Sequence, residues 1–139
     1  MNIDLAVQSE YLSYFTDNER NALIELKEKI LKKYPGTELI LYGSKARGDY
    51  NEDSDIDLLI VINDNYNIDR DISFEELRKL YFLAVDKKIE NEILSIVVDI
   101  ELKYDIFIDW QIKNKSYIQT GLAQVVPLYR NIKREGVEL

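Results

Sequence analysis

Asp55 and Asp57, with Ile56 between them, stand at the head of an apolar run that reads DIDLLIVI as far as Ile62. In a strand, residues two apart point the same way. The two carboxylates then share a face, while Ile56, Leu58, Ile60 and Ile62 share the other and pack on helices. Like charges held side by side repel unless a cation or a proton lies between them. Such a pair is a natural clamp for one or two hard divalent ions. Mg²⁺ prefers oxygen ligands, takes one or two protein carboxylates, and completes its shell with water and substrate phosphates. Two such ions roughly 4 Å apart stabilise both the attacking and the leaving oxygen of an in-line displacement at phosphorus. The plainer alternative is a pair of acids at the start of a strand, turned to solvent.

The preceding segment favours the chemical reading. Glu38 to Tyr42, ELILY, is a short apolar run that suits a central strand, and Gly43 and Ser44 end it. Glycine lets a ligand approach the backbone closely. Ser44 can start a helical turn through Lys45, Ala46 and Arg47, whose free N–H groups suit a phosphate. A local loop joins the two strands, so they can be antiparallel neighbours. The Gly-Ser end of one and the Asp-Ile-Asp start of the other then meet at one edge of the sheet.

The remaining elements supply the scaffold. Thr16 caps a helix that begins at Asp17, with Glu19 completing a capping box. Leu23, Leu26 and Ile30 form its apolar stripe, and Pro35-Gly36 stops it. After a loop, Ser73 and Glu76 make a second capping box. Phe74, Leu77, Tyr81, Val85, Ile89, Ile93, Ile96 and Ile100 recur at helical spacing, as one long helix or as two with a break near Asp86 to Lys88. Tyr104 to Ile112, YDIFIDWQI, alternates and reads as a third strand. Ile106, Ile108, Trp110 and Ile112 lie on one face, and Asp105, Phe107, Asp109 and Gln111 on the other. KSYIQTG reads as a loop or short helix. PLYRNIKREGVEL reads as a closing helix, with Pro127 near its start and Gly136 just past its end. The order α-β-β-α-β-α predicts an α/β fold, a small mixed sheet flanked by helices, in a single domain spanning 1–139.

Composition narrows the functions open to this scaffold. With 139 residues, 46% hydrophobic and 32% charged, the chain is an ordinary globular one. Its net charge of −8 repels a phosphate backbone, so no direct nucleic-acid partner is expected. Histidine and cysteine are both absent, which removes the commonest general base, the usual zinc ligands and thiolate chemistry. No stretch approaches the roughly 20 apolar residues of a membrane span. A cytoplasmic protein with no membrane partner is the expectation.

The stretch GSKARGDYNEDSDID resembles the signature of the polymerase-β-like nucleotidyltransferase superfamily: Gly-Ser, ten residues from Lys45 to Ser54, then Asp-x-Asp. The spacing matches its minimal nucleotidyltransferase (MNT) branch, and PLYRNIKREGVEL resembles the tail of many such domains. The resemblance runs from about Glu38 to the C-terminus. It implies the polymerase-β-like fold and transfer of a nucleoside monophosphate from an NTP, usually ATP, to an acceptor hydroxyl, with release of pyrophosphate. By the same resemblance, Asp55 and Asp57 bind Mg²⁺ in the catalytic centre, and Gly43 and Ser44 hold the β/γ-phosphates. Arg47 or Lys45 neutralises phosphate charge, the alternative being a solvated basic pair.

The family also carries a third carboxylate on a later strand, as metal ligand or base, for which Asp105 and Asp109 are the candidates. A helix crossing over between the second and third strands makes those strands parallel. The start of the third, read at Tyr104, then lies beside the start of the second, and this favours Asp105 as the third catalytic and metal-binding residue. Larger relatives add a domain for the acceptor, whereas here only core helices and a third strand surround the motif. The acceptor is therefore expected on another protein. The MNT branch implies a HEPN-domain ribonuclease toxin, which the chain, as antitoxin, adenylylates or binds. The alternatives are a catalytically weak antitoxin acting by binding alone and a small-molecule, aminoglycoside-type nucleotidyltransferase.

Overall fold

The computed structural model describes residues 15–43, 55–64, 73, 75, 85–119 and 125–139. Helix α1 (Asp17–Lys33) starts at the expected capping box. The Glu19 N–H donates to Thr16 Oγ1 at 3.1 Å and the Thr16 N–H donates to Glu19 Oε1 at 2.9 Å. Two of the N–H groups that a helix start leaves unpaired are thereby satisfied. Ala22, Leu23, Leu26 and Ile30 recur on one face and are fully buried. The helix ends at Tyr34, and Gly36, at φ 95°, turns the chain into β1 (Glu38–Tyr42).

Strand β2 (Ile56–Ile62) pairs antiparallel with β1, from Glu38 opposite Val61 to Tyr42 opposite Asp57. Helix α2 (Lys87–Tyr104) then crosses over to β3 (Ile108–Asn114), which runs parallel to β2. A short helix α3 (Lys115–Ile118) follows, then α4 (Pro127–Glu135) with Pro127 at its start, and a two-residue strand β4 (Val137–Glu138) antiparallel to β1. The sheet order is β3-β2-β1-β4. This mixed four-stranded sheet flanked by helices is the α/β architecture of a polymerase-β-like nucleotidyltransferase domain.

The faces of β2 follow its parity. Ile56, Leu58, Ile60 and Ile62 join Leu39, Leu41 and Ile108 against Leu23, Leu26, Ile30, Ile93, Val97 and Ile100 of α1 and α2, forming the main core. Leu59 and Val61 point the other way and meet Ile132 of α4, with Ile40, Leu128 and Tyr129 around them. The back of the sheet is therefore covered along its length, while the front has a smaller apolar cluster under α4. Behind the sheet edge, the buried Lys27 donates from Nζ to the Leu139 carbonyl at 2.6 Å, and the Leu139 N–H donates to the Leu39 carbonyl at 2.9 Å. A buried ammonium needs such a partner.

One open alternative is settled, one expectation changes and one element is new. The long helical pattern does break near Asp86: its side chain accepts from the Lys88 N–H at 2.8 Å and caps α2. Phe74, Leu77 and Tyr81 of the earlier part of that pattern, and Glu76 of its capping box, fall outside the described residues. The third strand begins at Ile108 instead of Tyr104. Tyr104 closes the last turn of α2, and Asp105 follows as its cap at φ 50° in the left-handed region. Aspartate tolerates that conformation better than most side chains, and the Ile106 N–H reaches back to the Glu101 carbonyl at 3.2 Å. Finally, β4 has no counterpart in the sequence reading.

Candidate active site

The strand directions gather the chemistry at one edge. β1 ends there, β2 starts there and, because α2 returns the chain for a parallel pairing, β3 starts there too. Register is specific: Tyr42 lies opposite Asp57, and Asp57 opposite Asp109. Residues paired across neighbouring strands project from the same face of a sheet roughly 5 Å apart. Tyr42, Asp57 and Asp109 thus form a row across three strands, on the face away from α1 and α2. Gln111, two residues after Asp109, shares that face.

Electrostatics registers the same grouping. The half-buried Tyr42 phenol is held above its ordinary pKa. Burial is the largest cause, the negative charges of Asp57 and Asp109 come next, and a hydrogen bond with Gln111 acts the other way. Each nearby carboxylate disfavours a phenolate, so the hydroxyl stays protonated and able to donate within the row.

Gly43 has two reasons to be glycine. Its φ of 79° is a conformation that side chains avoid. A Cβ built there would also fall 2.2 Å from Asp57 Oδ2 and 3.0 Å from its Cγ. The missing side chain is the space that the Asp57 carboxylate occupies. The sequence pointed to this glycine for ligand approach; the structure adds that it seats the acid.

The other sequence-predicted residues fall as follows. Asp55 is exposed, on the residue before β2. Asp105 is also exposed but lies off the strand, on the cap of α2, four positions before Asp109. The premise that favoured Asp105, a strand starting at Tyr104, does not hold, and the acid that the sheet sets beside Asp57 is Asp109. Ser44, Lys45 and Arg47 lie outside the described residues. Tyr42 and Gln111 were not read as site residues. The signal for Tyr42 was its place directly before Gly43, since an antiparallel pairing across a local loop sets that residue opposite Asp57.

The donor set suits a hard cation. Among the described residues no cluster of three or more His, Cys, Asp or Glu side chains is gathered to hold a metal. Mg²⁺ needs only one or two protein carboxylates, and Asp57 and Asp109 on adjacent strands offer oxygen donors alone. The seat that Gly43 leaves open keeps the Asp57 carboxylate at the sheet edge. One row further along the same face, Ile40, Leu59, Ile118, Tyr129 and Ile132 line a cleft of about 530 Å³, a size typical of ligand sites. Among the described residues no helix is long and apolar enough to cross a membrane.

Comparison with known proteins supplies the family. The family model described as "Nucleotidyltransferase domain" matches residues 23–120, from α1 through β3 and α3. Two proteins of Methanocaldococcus jannaschii are similar. One, named "Putative protein adenylyltransferase MJ0604", is 39% identical over 77 residues, 54% of this chain and 76% of that protein. The other, "Putative protein adenylyltransferase MJ0141", is 35% identical over 91 residues, 66% of this chain and 72% of that protein.

Proposed function

Because the chain belongs to the nucleotidyltransferase domain family, we propose that it transfers AMP from ATP, with Mg²⁺, to a hydroxyl of a partner protein. The observation that carries this reading is the registered row Tyr42–Asp57–Asp109 at the edge where Gly43 ends β1. The name "Putative protein adenylyltransferase", carried by both relatives, supports a protein acceptor over a small molecule.

In this reading Asp55, Asp57 and Asp109 supply the oxygen ligands, with Asp109 in the place that the sequence assigned to Asp105. Bound Mg²⁺ would neutralise phosphate charge on both sides of the reacting phosphorus. The acceptor hydroxyl oxygen bonds to the α-phosphorus, the bond from that phosphorus to the bridging oxygen breaks, and pyrophosphate leaves. Asp109 accepts the hydroxyl proton, as a carboxylate within reach of the attacking group can. The protonated Tyr42 hydroxyl braces the row from below. Gly43 and Ser44, with Arg47, receive the β/γ-phosphates.

The acceptor we assign is a HEPN-domain toxin, for which the chain serves as antitoxin. A net charge of −8 suits a basic RNA-cleaving partner. Incubation with labelled ATP, Mg²⁺ and the co-expressed toxin, followed by intact-mass analysis, is expected to show AMP on a toxin hydroxyl residue. Absence of label on every partner protein overturns the reading. A second reading, neutralisation by binding alone, is favoured by one observation: no three-carboxylate cluster stands among the described residues. Full toxin protection by an Asp55→Ala/Asp57→Ala variant would select it.

A further inference from the structure

We propose that the outer face of α2, together with the exposed Phe107 beyond its end, is the surface on which the acceptor protein docks, through an apolar segment flanked by lysine or arginine. The proposal rests on the protein-acceptor reading above. Leu94, Val98 and Leu102 are 44%, 38% and 77% exposed. Four-residue steps place them on one stripe of the helix, roughly 12 Å long at the rise of an α-helix. The stripe lies opposite Ile93, Val97 and Ile100, which are fully buried in the core. The helix is thus apolar on two sides, and only one has a partner among the described residues.

The stripe ends at the sheet edge that carries the candidate row, although the row itself lies on the other face of the sheet. α2 ends at the edge where β2 and β3 begin. Phe107, 64% exposed, stands two residues before Asp109, a separation of roughly 7 Å in extended chain. Val125, 69% exposed, belongs to no such alignment, and a lone exposed apolar residue needs no explanation.

Charge selects the occupant. Asp99 lies beside the stripe and Asp105 at its end, and neither makes an ion pair among the described residues. At the end near Asp105 the neighbouring cation is engaged, Lys103 with Glu25 at 2.7 Å. The catalytic end of the stripe therefore presents apolar side chains among unpaired acids. A second copy would bring the same acids and a net charge of −8 against them. A segment with apolar residues at helical spacing and basic flanks meets both features, and laying an amphipathic helix on an apolar surface is a common recognition mode.

The test uses a synthetic peptide with leucines at four-residue steps, lysines on both flanks and a tyrosine at one end, with a glutamate-flanked twin. Fluorescence anisotropy is expected to show the lysine peptide binding the full chain, salt sensitively, and the glutamate peptide failing to bind. Leu102→Ser/Phe107→Ser, with α-helical content unchanged by circular dichroism, is expected to weaken binding roughly tenfold. Equal binding of the two peptides, or of the variant and the wild type, overturns the proposal. So does a wild-type dimer in sedimentation that this variant dissociates, which would assign the stripe to a second copy. AMP transfer to the peptide tyrosine is read separately by mass. Selective binding with no transfer supports the docking surface and counts against the proposed function alone. Transfer that the variant leaves unchanged overturns the docking surface alone.

Discussion

The acids at the two ends of β2 meet opposite surroundings. At the far end, Asp64 is held by the protein: Ser116 Oγ donates to its Oδ2, and the Ser116 N–H donates to its Oδ1 at 3.3 Å. The start of α3 thereby satisfies a half-buried carboxylate. At the near end, Asp55 and Asp109 have no hydrogen-bond or ion-pair partner among the described residues, and Asp109 is set by register beside a third acid, Asp57. An acid that stabilises a fold is given donors. In the proposed function, acids meant for a cation are instead set beside one another, where their repulsion favours its binding.

Substitutions at the two ends test this contrast. The largest effect is expected from Asp57→Asn, which keeps the shape and removes the charge. AMP transfer should fall about a thousandfold, the equivalent of several kcal/mol of transition-state stabilisation, with the circular dichroism spectrum retained. Asp109→Asn should lower the transfer rate constant about a hundredfold, the usual scale for a lost general base, read from single-turnover kinetics. Gly43→Ala acts on both fold and site. The left-handed backbone costs about 1–2 kcal/mol in urea unfolding, and the methyl group must displace the Asp57 carboxylate, so transfer falls as well.

Asp64→Ala should do the reverse of Asp57→Asn. It leaves the Ser116 N–H and hydroxyl without an acceptor and costs about 1–3 kcal/mol of stability, while transfer by the folded protein stays at the wild-type rate. The smallest effect belongs to Asp105→Asn, because asparagine also tolerates the left-handed cap conformation. Transfer should remain within about twofold on the scale where a tenfold change is 1.4 kcal/mol. A large loss at Asp105 with none at Asp109 would return the third carboxylate to the helix cap and break the registered row.

Much of this was legible in the chain because the signals are local. Thr16 and Glu19 close the cap that their spacing announces. The alternation Ile56–Ile62 separates the acid face from the core face, and Pro127 and Gly136 bracket α4. The start of β3 was harder. Tyr104 and Ile106 fit a two-residue alternation with Ile108, yet Tyr104 also continues the helical series through Ile93, Val97 and Ile100, and a short window satisfies both periods. Packing against α1 resolves it: the Asn18 side chain donates to the Tyr104 carbonyl, and Lys103 pairs with Glu25. β4 is two residues long, too short to carry any period, and exists only because β1 offers it an edge.

The sequence by itself determined the α/β class, the antiparallel joining of the first two strands, and the meeting of Gly43 with the start of the Asp57 strand, since each depends on spacing within a short stretch. Only the tertiary structure decided which distant acid stands beside Asp57. That choice depends on the residue at which a crossover helix ends and a parallel strand begins, and one turn of helix more or less moves a different aspartate into register. Here α2 runs on to Tyr104, Asp105 is spent on ending it, and Asp109 takes the place opposite Asp57.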